Sequence, residues 1–286
     1  MPDLFADLDR QSDDSKIIHA PFGYPGGKTW SAKEIIKHLP YNDIYVEPFG
    51  GSAAVMLARH PSKLEVFNDR YAGVVAFYRC IRDAGKLEAL IQWLDCTIHS
   101  REEWHWCSET WETEEDVVIR AAKWLYMTKY SFSQIGRHFG RAVKCNCRLA
   151  GRVRDKLPEF YAIHNRFKYV QVENLDWYDC LVQYDSPTTV FYLDPPYVET
   201  KQGAYKHTMS HDDHRRLLSV IFSLEGFVAI SGYPNPIYDN QSWDDFFEWE
   251  VRETLAGTVF NEGNKKKALE FTAKRPLVKE RLWIKE

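Results

Sequence analysis

The sequence predicts an α/β fold: a doubly wound, mostly parallel sheet interrupted by one mainly helical insertion. Three observations carry this. Short runs of β-branched and aromatic residues recur along the chain, helical patterns separate several of them, and the alternation lapses between about His99 and Leu157. With 286 residues, 44% of them hydrophobic and 15% aromatic, the chain can fill a sizeable core, which excludes wholesale disorder. No run reaches the ~20 apolar residues of a membrane span. The first sixteen residues are acidic and polar, without the basic start and apolar centre of a secretory leader. A cytosolic protein with a disordered tail over 1–16 is expected.

The strand-like runs are 43–47, 64–68, 169–173, 189–193, 227–231, 246–254 and 281–284. Helical patterns follow the first two, over 52–59 and 71–82, the latter with Val74, Val75, Phe77 and Tyr78 on its apolar face. Ser210-His-Asp-Asp213 has the spacing of a capping box and predicts a helix over 212–224. Inside the insertion, Thr113 and Asp116 resemble a capping pair for a helix over 113–129, followed by a Gly- and Arg-rich stretch without periodicity. The expected organisation is therefore a sheet domain of residues 17–98 and 158–286, with an insert of residues 99–157. Trp93, Trp124 and Trp249 lie in apolar patterns and read as core.

The net charge of −4 conceals an uneven distribution. Residues 101–116 hold seven acids and one base, residues 137–156 seven bases and one acid. The basic window is where a polyanion would bind. Six cysteines in a chain this long make no disulfide scaffold. Cys145-Asn-Cys147 lacks the two-residue gap usual in structural zinc sites, so reduced thiols and no metal are expected.

Three motifs point to chemistry. Glu47-Pro-Phe-Gly-Gly51 ends the first strand, where glycines let the backbone approach a ligand and a helix N-terminus favours a polar group. Asp69 ends the second strand, where a carboxylate can take ribose hydroxyls; a plain strand–helix turn with a surface Asp fits the same residues. The G-x-G-x-x-G fingerprint of dinucleotide binding is absent. Asp194-Pro-Pro-Tyr197 follows the strand over 189–193. Asp194 and the Pro195 carbonyl offer two acceptors, the two prolines stiffen the loop, and Tyr197 offers a stacking face, a match for an exocyclic amino group on a planar base. Tyr24-Pro-Gly-Gly-Lys28 is nearly a phosphate loop, but Phe22 stands where that loop needs glycine.

In this order, Tyr24-Pro-Gly-Gly-Lys28, Glu47-Pro-Phe-Gly-Gly51, Phe67-Asn-Asp69 and Asp194-Pro-Pro-Tyr197 resemble the motifs of the Dam-type, alpha-group N6-adenine DNA methyltransferases. Glu280-Arg-Leu-Trp-Ile284 resembles that family's closing strand. The resemblance spans about Ile17 to Lys285 and implies a Rossmann-like sheet whose last strand inserts antiparallel, with S-adenosylmethionine as methyl donor. It implies that Tyr24, Lys28 and Glu47 contact the cofactor, that Phe49, Gly50 and Gly51 line its methionine part, that Asp69 binds its ribose, and that Asp176 lies near its adenine. Asp194, Pro195, Pro196 and Tyr197 would form the catalytic loop, with Asp194 against both cofactor and target.

The same resemblance implies a flipped-out adenine in double-stranded DNA, direct in-line transfer and a monomeric enzyme. Lys129-Tyr-Ser-Phe-Ser-Gln-Ile-Gly-Arg137 is similar to the family's recognition segment. Phe132 and Ser133 would act at the opened step, Arg137 would read a guanine edge, and Arg141, Lys144, Arg148 and Arg152 would hold phosphates. Here Ser133-Gln134 replaces an Asn-Gly pair, so the family's usual target sequence does not carry over. A second basic cluster, Lys265–Lys267, touches DNA backbone or keeps a loop soluble. Cytosine N4 methylation, an inactive DNA-binding relative and a nucleotidase are the competing readings; Asp at position 194 favours adenine over cytosine, and Phe22 weighs against the nucleotidase.

Overall fold

The computed structural model describes residues 18–24, 26–134, 136–141, 151, 153–198, 208–252 and 277–286, with Ser133 and Arg252 described by their backbones alone. Seven strands form one sheet: β1 (Ile44–Glu47), β2 (Leu64–Asn68), β3 (Gln171–Glu173), β4 (Thr189–Leu193), β5 (Phe227–Gly232), β6 (Asp245–Arg252) and β7 (Leu277–Lys285). Their spatial order is β3-β2-β1-β4-β5-β7-β6. The first five are parallel, and β7 inserts antiparallel between β5 and β6. The chain is wound outward from β1 in both directions, so the gap between the carboxyl ends of β1 and β4 is the switch point where open α/β sheets bind ligands.

Ten helices lie among the described residues: α1 (Ala32–Ile35), α2 (Ala54–Ala58), α3 (Ala72–Arg82), α4 (Ala84–Cys96), α5 (Arg101–Thr110), α6 (Val117–Lys129), α7 (Glu159–Phe167), α8 (Trp177–Tyr184), α9 (His211–Ile221) and α10 (Pro236–Asp239). They cover two faces of the sheet. Tyr45, Phe67, Val190, Tyr192, Ala229, Leu282 and Ile284 point into a core shared with α1 to α7. Val46, Val66, Phe191, Leu193, Val228, Ile230 and Trp283 point into a second core closed by α8, α9 and α10. Burial on both faces of a parallel sheet makes the strands read as unbroken apolar runs. The pleat then sends successive side chains to opposite cores.

The expected strands appear with ends shifted by a few residues; β7 is the most extended, starting at Leu277. The helix expected over 113–129 begins at Val117. Asp116 is its N-cap, with its Oδ1 accepting from Val118 N at 2.8 Å and Ile119 N at 3.0 Å, while the Thr113 hydroxyl turns back to the Thr110 carbonyl. An extended Asp116 stops the helix from running further back. The capping box of Ser210 and Asp213 is present at α9.

Helices α5 and α6, from the stretch that breaks the strand–helix rhythm, share the first core with α3 and α4. Residues 121–130 of α6 and its C-cap are all buried. Phe22, the residue that departs from a phosphate loop, packs edge-on against Trp124 (4.9 Å between centroids) and Phe77 (5.3 Å). Position 22 is thus a core anchor beneath the 24–28 turn.

The α3–α6 contact depends on a glycine. A Cβ on Gly73 would lie 2.2 Å from Cδ1 of Trp124, whose ring is boxed in by Phe22, Tyr71 and Phe77. Gly73→Ala therefore overpacks the core, and a loss of about 1–3 kcal/mol is expected, to be read from the denaturant midpoint at constant slope.

Candidate functional site

The site forms around a lysine that folding has removed from water. The turn at 24–27, closed by Gly27 N donating to Tyr24 O (3.0 Å), sends Lys28 inward, where only 5% of the residue stays exposed. Its Nζ donates to Asp194 Oδ1 (2.6 Å), Asp194 Oδ2 (2.7 Å) and the Gly26 carbonyl (2.8 Å). It also lies 3.4 Å from Glu280 Oε1 and 4.8 Å from the centre of the Tyr197 ring. A buried charge needs such partners.

Three elements supply them. Asp194 follows β4 and also accepts from the Ser231 hydroxyl of β5 (2.9 Å), which itself pairs with the Tyr192 hydroxyl (2.9 Å). Glu280 comes from β7. Because β7 runs against its neighbours, its first half lies at the carboxyl ends of the parallel strands, with Arg281 opposite Gly232. Glu280 Oε1 accepts from Tyr197 Oη (2.8 Å) and Oε2 from Ser31 Oγ (2.7 Å).

Burial pulls the Lys28 pKa down, but Asp194 and Glu280 pull harder, and the ammonium ends above the ordinary lysine value. Burial likewise raises Asp194, only partly offset by Lys28 and Ser231. At Glu280 burial acts upward too, yet Lys28 with the Ser31 and Tyr197 hydroxyls wins and leaves the carboxyl lowered. Lys28 is thus the cation shared between two buried carboxyl groups, Asp194 and Glu280.

The Glu47–Gly51 loop is held as tightly. Gly50 N donates to Asn68 O (2.8 Å), and a Cβ on Gly50 would stand 2.2 Å from the Phe67 ring. Gly51 adopts φ +50, and its N–H donates to Asp69 Oδ2 (2.8 Å). Asp69 Oδ1 accepts from Tyr71 N (2.7 Å). Both Asp69 oxygens thus already carry a backbone bond, and each keeps a second lone pair for a ligand. Desolvation pushes the Asp69 pKa up to about 6. Asn68 adds a clamp: its Nδ2 donates to the Pro48 and Leu175 carbonyls (2.9 and 3.3 Å), and its Oδ1 accepts from Leu175 N (2.7 Å).

Two cavities meet at this loop system. One is lined by Tyr24, Lys28, Glu47, Phe49, Gly50, Gly51 and Asp194, among others. The other is lined by Pro195, Tyr197, Ser231, Tyr233, Asn235 and His214, among others. Tyr233 meets Tyr197 edge-on at 4.7 Å. His214 is buried, with Nδ1 2.6 Å from the Tyr238 hydroxyl, and burial lowers its pKa to about 4, so it is neutral.

Most residues expected at the site are therefore brought together: Tyr24, Lys28, Glu47, Phe49, Gly50, Gly51 and Asp194 around one cavity, Pro195 and Tyr197 around the other, and Asp69 beneath Gly51. Asp176 sits apart from both linings. It is the N-cap of α8, accepting from Tyr178 N (3.1 Å) and pairing with Arg70 (3.2 Å). Ser31, Ser231, Asn68 and Glu280 were not anticipated as site residues. Glu280 was visible only as an acid at the head of the closing apolar strand.

The segment expected to read DNA is described at 129–134 and 136–137. Ser131 bridges Phe139, Phe132 N donates to His138 O (2.7 Å), and Gly136 N donates to Ser131 Oγ (2.8 Å). This turns Phe132 (69% exposed) outward, and Arg137 and Arg141 are exposed as well. The side chain of Ser133, together with Lys144, Arg148, Arg152, the Cys145–Cys147 pair and Lys265–Lys267, lies outside the described residues.

Comparison with known proteins gives two findings. The family model for D12 class N6 adenine-specific DNA methyltransferases matches residues 24–237. Curated proteins named DNA adenine methylase, from Salmonella typhi and Salmonella typhimurium, are each 25% identical over 266 residues, covering 87% of this chain and 92% of theirs.

Glu47 gives the site a pH signature. Desolvation raises its pKa to about 8, against the hydrogen bond donated by Tyr45 Oη (2.7 Å). The folded protein therefore holds a proton that the unfolded chain, titrating near 4.5, has released. The stability this proton contributes is fully present below about pH 4.5 and is lost as pH rises through about 8. Glu47→Gln keeps an acceptor for Tyr45 without the charge, so it is expected to flatten the fall in stability between pH 5 and 8, as read from urea midpoints across that range.

Proposed function

Since the chain belongs to the D12 class N6 adenine-specific DNA methyltransferases, and so methylates adenine in DNA, we propose that it takes the methyl group from S-adenosylmethionine and divides the work between its two cavities. The observation that carries this reading is the position of the Asp194 loop: Asp194 lines one cavity, while Pro195 and Tyr197 line the other. The first cavity suits the donor. It has glycine backbone open to close approach, an aromatic wall in Tyr24 and Phe49, and the carboxyls of Asp194 and Glu280 set around one ammonium. When bound, S-adenosylmethionine supplies an electrophilic methyl on a cationic sulfur. Lys28, Phe49, Gly50 and Gly51 would bind it, with Asp69 holding Gly51 in place and offering its remaining lone pairs.

The second cavity suits a planar base. Tyr197 stacks on it, steadied by Glu280 and Tyr233. Asp194 and the Pro195 carbonyl accept hydrogen bonds from the exocyclic amino group. Those bonds draw the nitrogen out of conjugation with the ring, leaving its lone pair free to attack. Burial keeps Asp194 more basic than an ordinary aspartate, which suits a group that receives N–H donors. The base must leave the duplex to reach this cavity, at a few kcal/mol of unstacking. Phe132 and Arg137 on the exposed loop, with Arg141 and the basic residues that follow, would meet the duplex and read its sequence.

The decisive test incubates the protein with duplex DNA and labelled S-adenosylmethionine, then identifies the modified nucleoside. N6-methyladenine is expected; N4-methylcytosine or no incorporation over varied DNA refutes the reading. Asp194→Ala is expected to lower transfer about a hundredfold or more while cofactor binding partly survives, and full activity would remove Asp194 from its role. Arg137→Ala is expected to relax preference at one base pair, at a loss of about 1–3 kcal/mol in discrimination. Equal loss on all sequences would make Arg137 a phosphate contact.

A further inference from the structure

In the structure, Lys28 donates to both oxygens of Asp194 (2.6 and 2.7 Å), the same oxygens that must accept the target amino group. The ammonium and the substrate therefore compete for one carboxylate. If Lys28 simply let go, it would be a buried cation without a counterion, which is strongly unfavourable. A second carboxylate is at hand: Glu280 Oε1 stands 3.4 Å from the same Nζ. Glu280 is 4% exposed and fixed at both oxygens, by Tyr197 Oη (2.8 Å) and Ser31 Oγ (2.7 Å). A small swing of the lysine closes the gap.

We propose that Glu280 is a positioning residue that receives the Lys28 ammonium when Asp194 turns to the target amino group, and that it holds Tyr197 in stacking position through the same carboxylate. This rests on the methyl-transfer reading of the site. The exchange keeps one ammonium between two carboxylates throughout, so no charge is stranded at any stage. It also links occupancy of Asp194 to the Tyr197 ring, because Lys28 and Tyr197 Oη share Glu280 Oε1.

The test uses Glu280→Gln in the full chain. Glutamine keeps the volume, can accept from Tyr197 and can meet the Ser31 hydroxyl, but it lacks the charge. Single-turnover transfer is expected to slow about tenfold or more, a change of ~1.4 kcal/mol per tenfold in rate. The S-adenosylmethionine dissociation constant and the melting temperature should stay near those of the parent. In a Lys28→Gln background, where no cation needs rehousing, the same replacement should change the rate less than about threefold. The cycle is read a second time without turnover, from the dissociation constant of target duplex with enzyme loaded with S-adenosylhomocysteine. Parental transfer in Glu280→Gln, or equal penalties in both backgrounds, overturns the proposal. An inactive parent protein would instead refute the methyl-transfer reading on which it rests.

Discussion

The buried ammonium of Lys28 is the constraint around which the rest of the site is arranged. A charge held this far from water destabilises the fold unless opposite charge and acceptors surround it. Its partners come from the Gly26 turn, from the end of β4 and from β7. Folding therefore cannot bury Lys28 without bringing the amino-terminal turn, the Asp194 loop and the closing strand to one place. The antiparallel insertion of β7 is part of the same requirement. A parallel strand in that slot would present its opposite end to the site, and Glu280 would lie at the far edge of the sheet.

A second set of contacts makes the floor of the site rigid. Asn68 and Asp69 end β2 and spend their side chains on the backbone of neighbouring loops, at Pro48, Leu175, Gly51 and Tyr71. Each bond satisfies a backbone group at a strand end that would otherwise be buried and unpaired. Gly50 lies against Phe67 and Gly51 takes a positive φ, so the loop has little alternative conformation. A preorganised loop at the switch point lets a ligand bind without first ordering the chain.

How much of this is legible in the sequence follows from the range of the interactions involved. The strands are legible because both faces are buried, which leaves apolar runs such as Val190–Leu193 bounded by turn residues. The motifs at 24–28, 47–51 and 194–197 are legible because each is contiguous and its chemistry is local. The sequence puts the start of α6 four residues early because Thr113 and Asp116 are both fit for capping, and only the fold decides between them. Ser31 and Glu280 are 249 residues apart in sequence yet hydrogen-bonded, and a lone serine and a lone acid carry no pattern that predicts the pairing. Asp176 is placed near the cofactor by resemblance alone, and its position before Trp177 also marks it as the helix cap it is in the structure.

The charge distribution makes sense in the same terms. The sequence concentrates positive charge in residues 137–156, while the site gathers two carboxyls, Asp194 and Glu280, around the single ammonium of Lys28. Clustered bases attract a polyanion, and an ammonium already spent on two carboxyls has little attraction left to offer one. Phosphates that entered the site would compete for Lys28 and strip Asp194 and Glu280 of their counterion. A flipped base is uncharged and would not compete for the lysine, and neither would the cationic donor of the proposed reading. On the proposed reading, the basic window would meet the duplex backbone, while a lysine already committed to two carboxyls would leave the reactive carboxyl to the neutral base and the positively charged methyl donor.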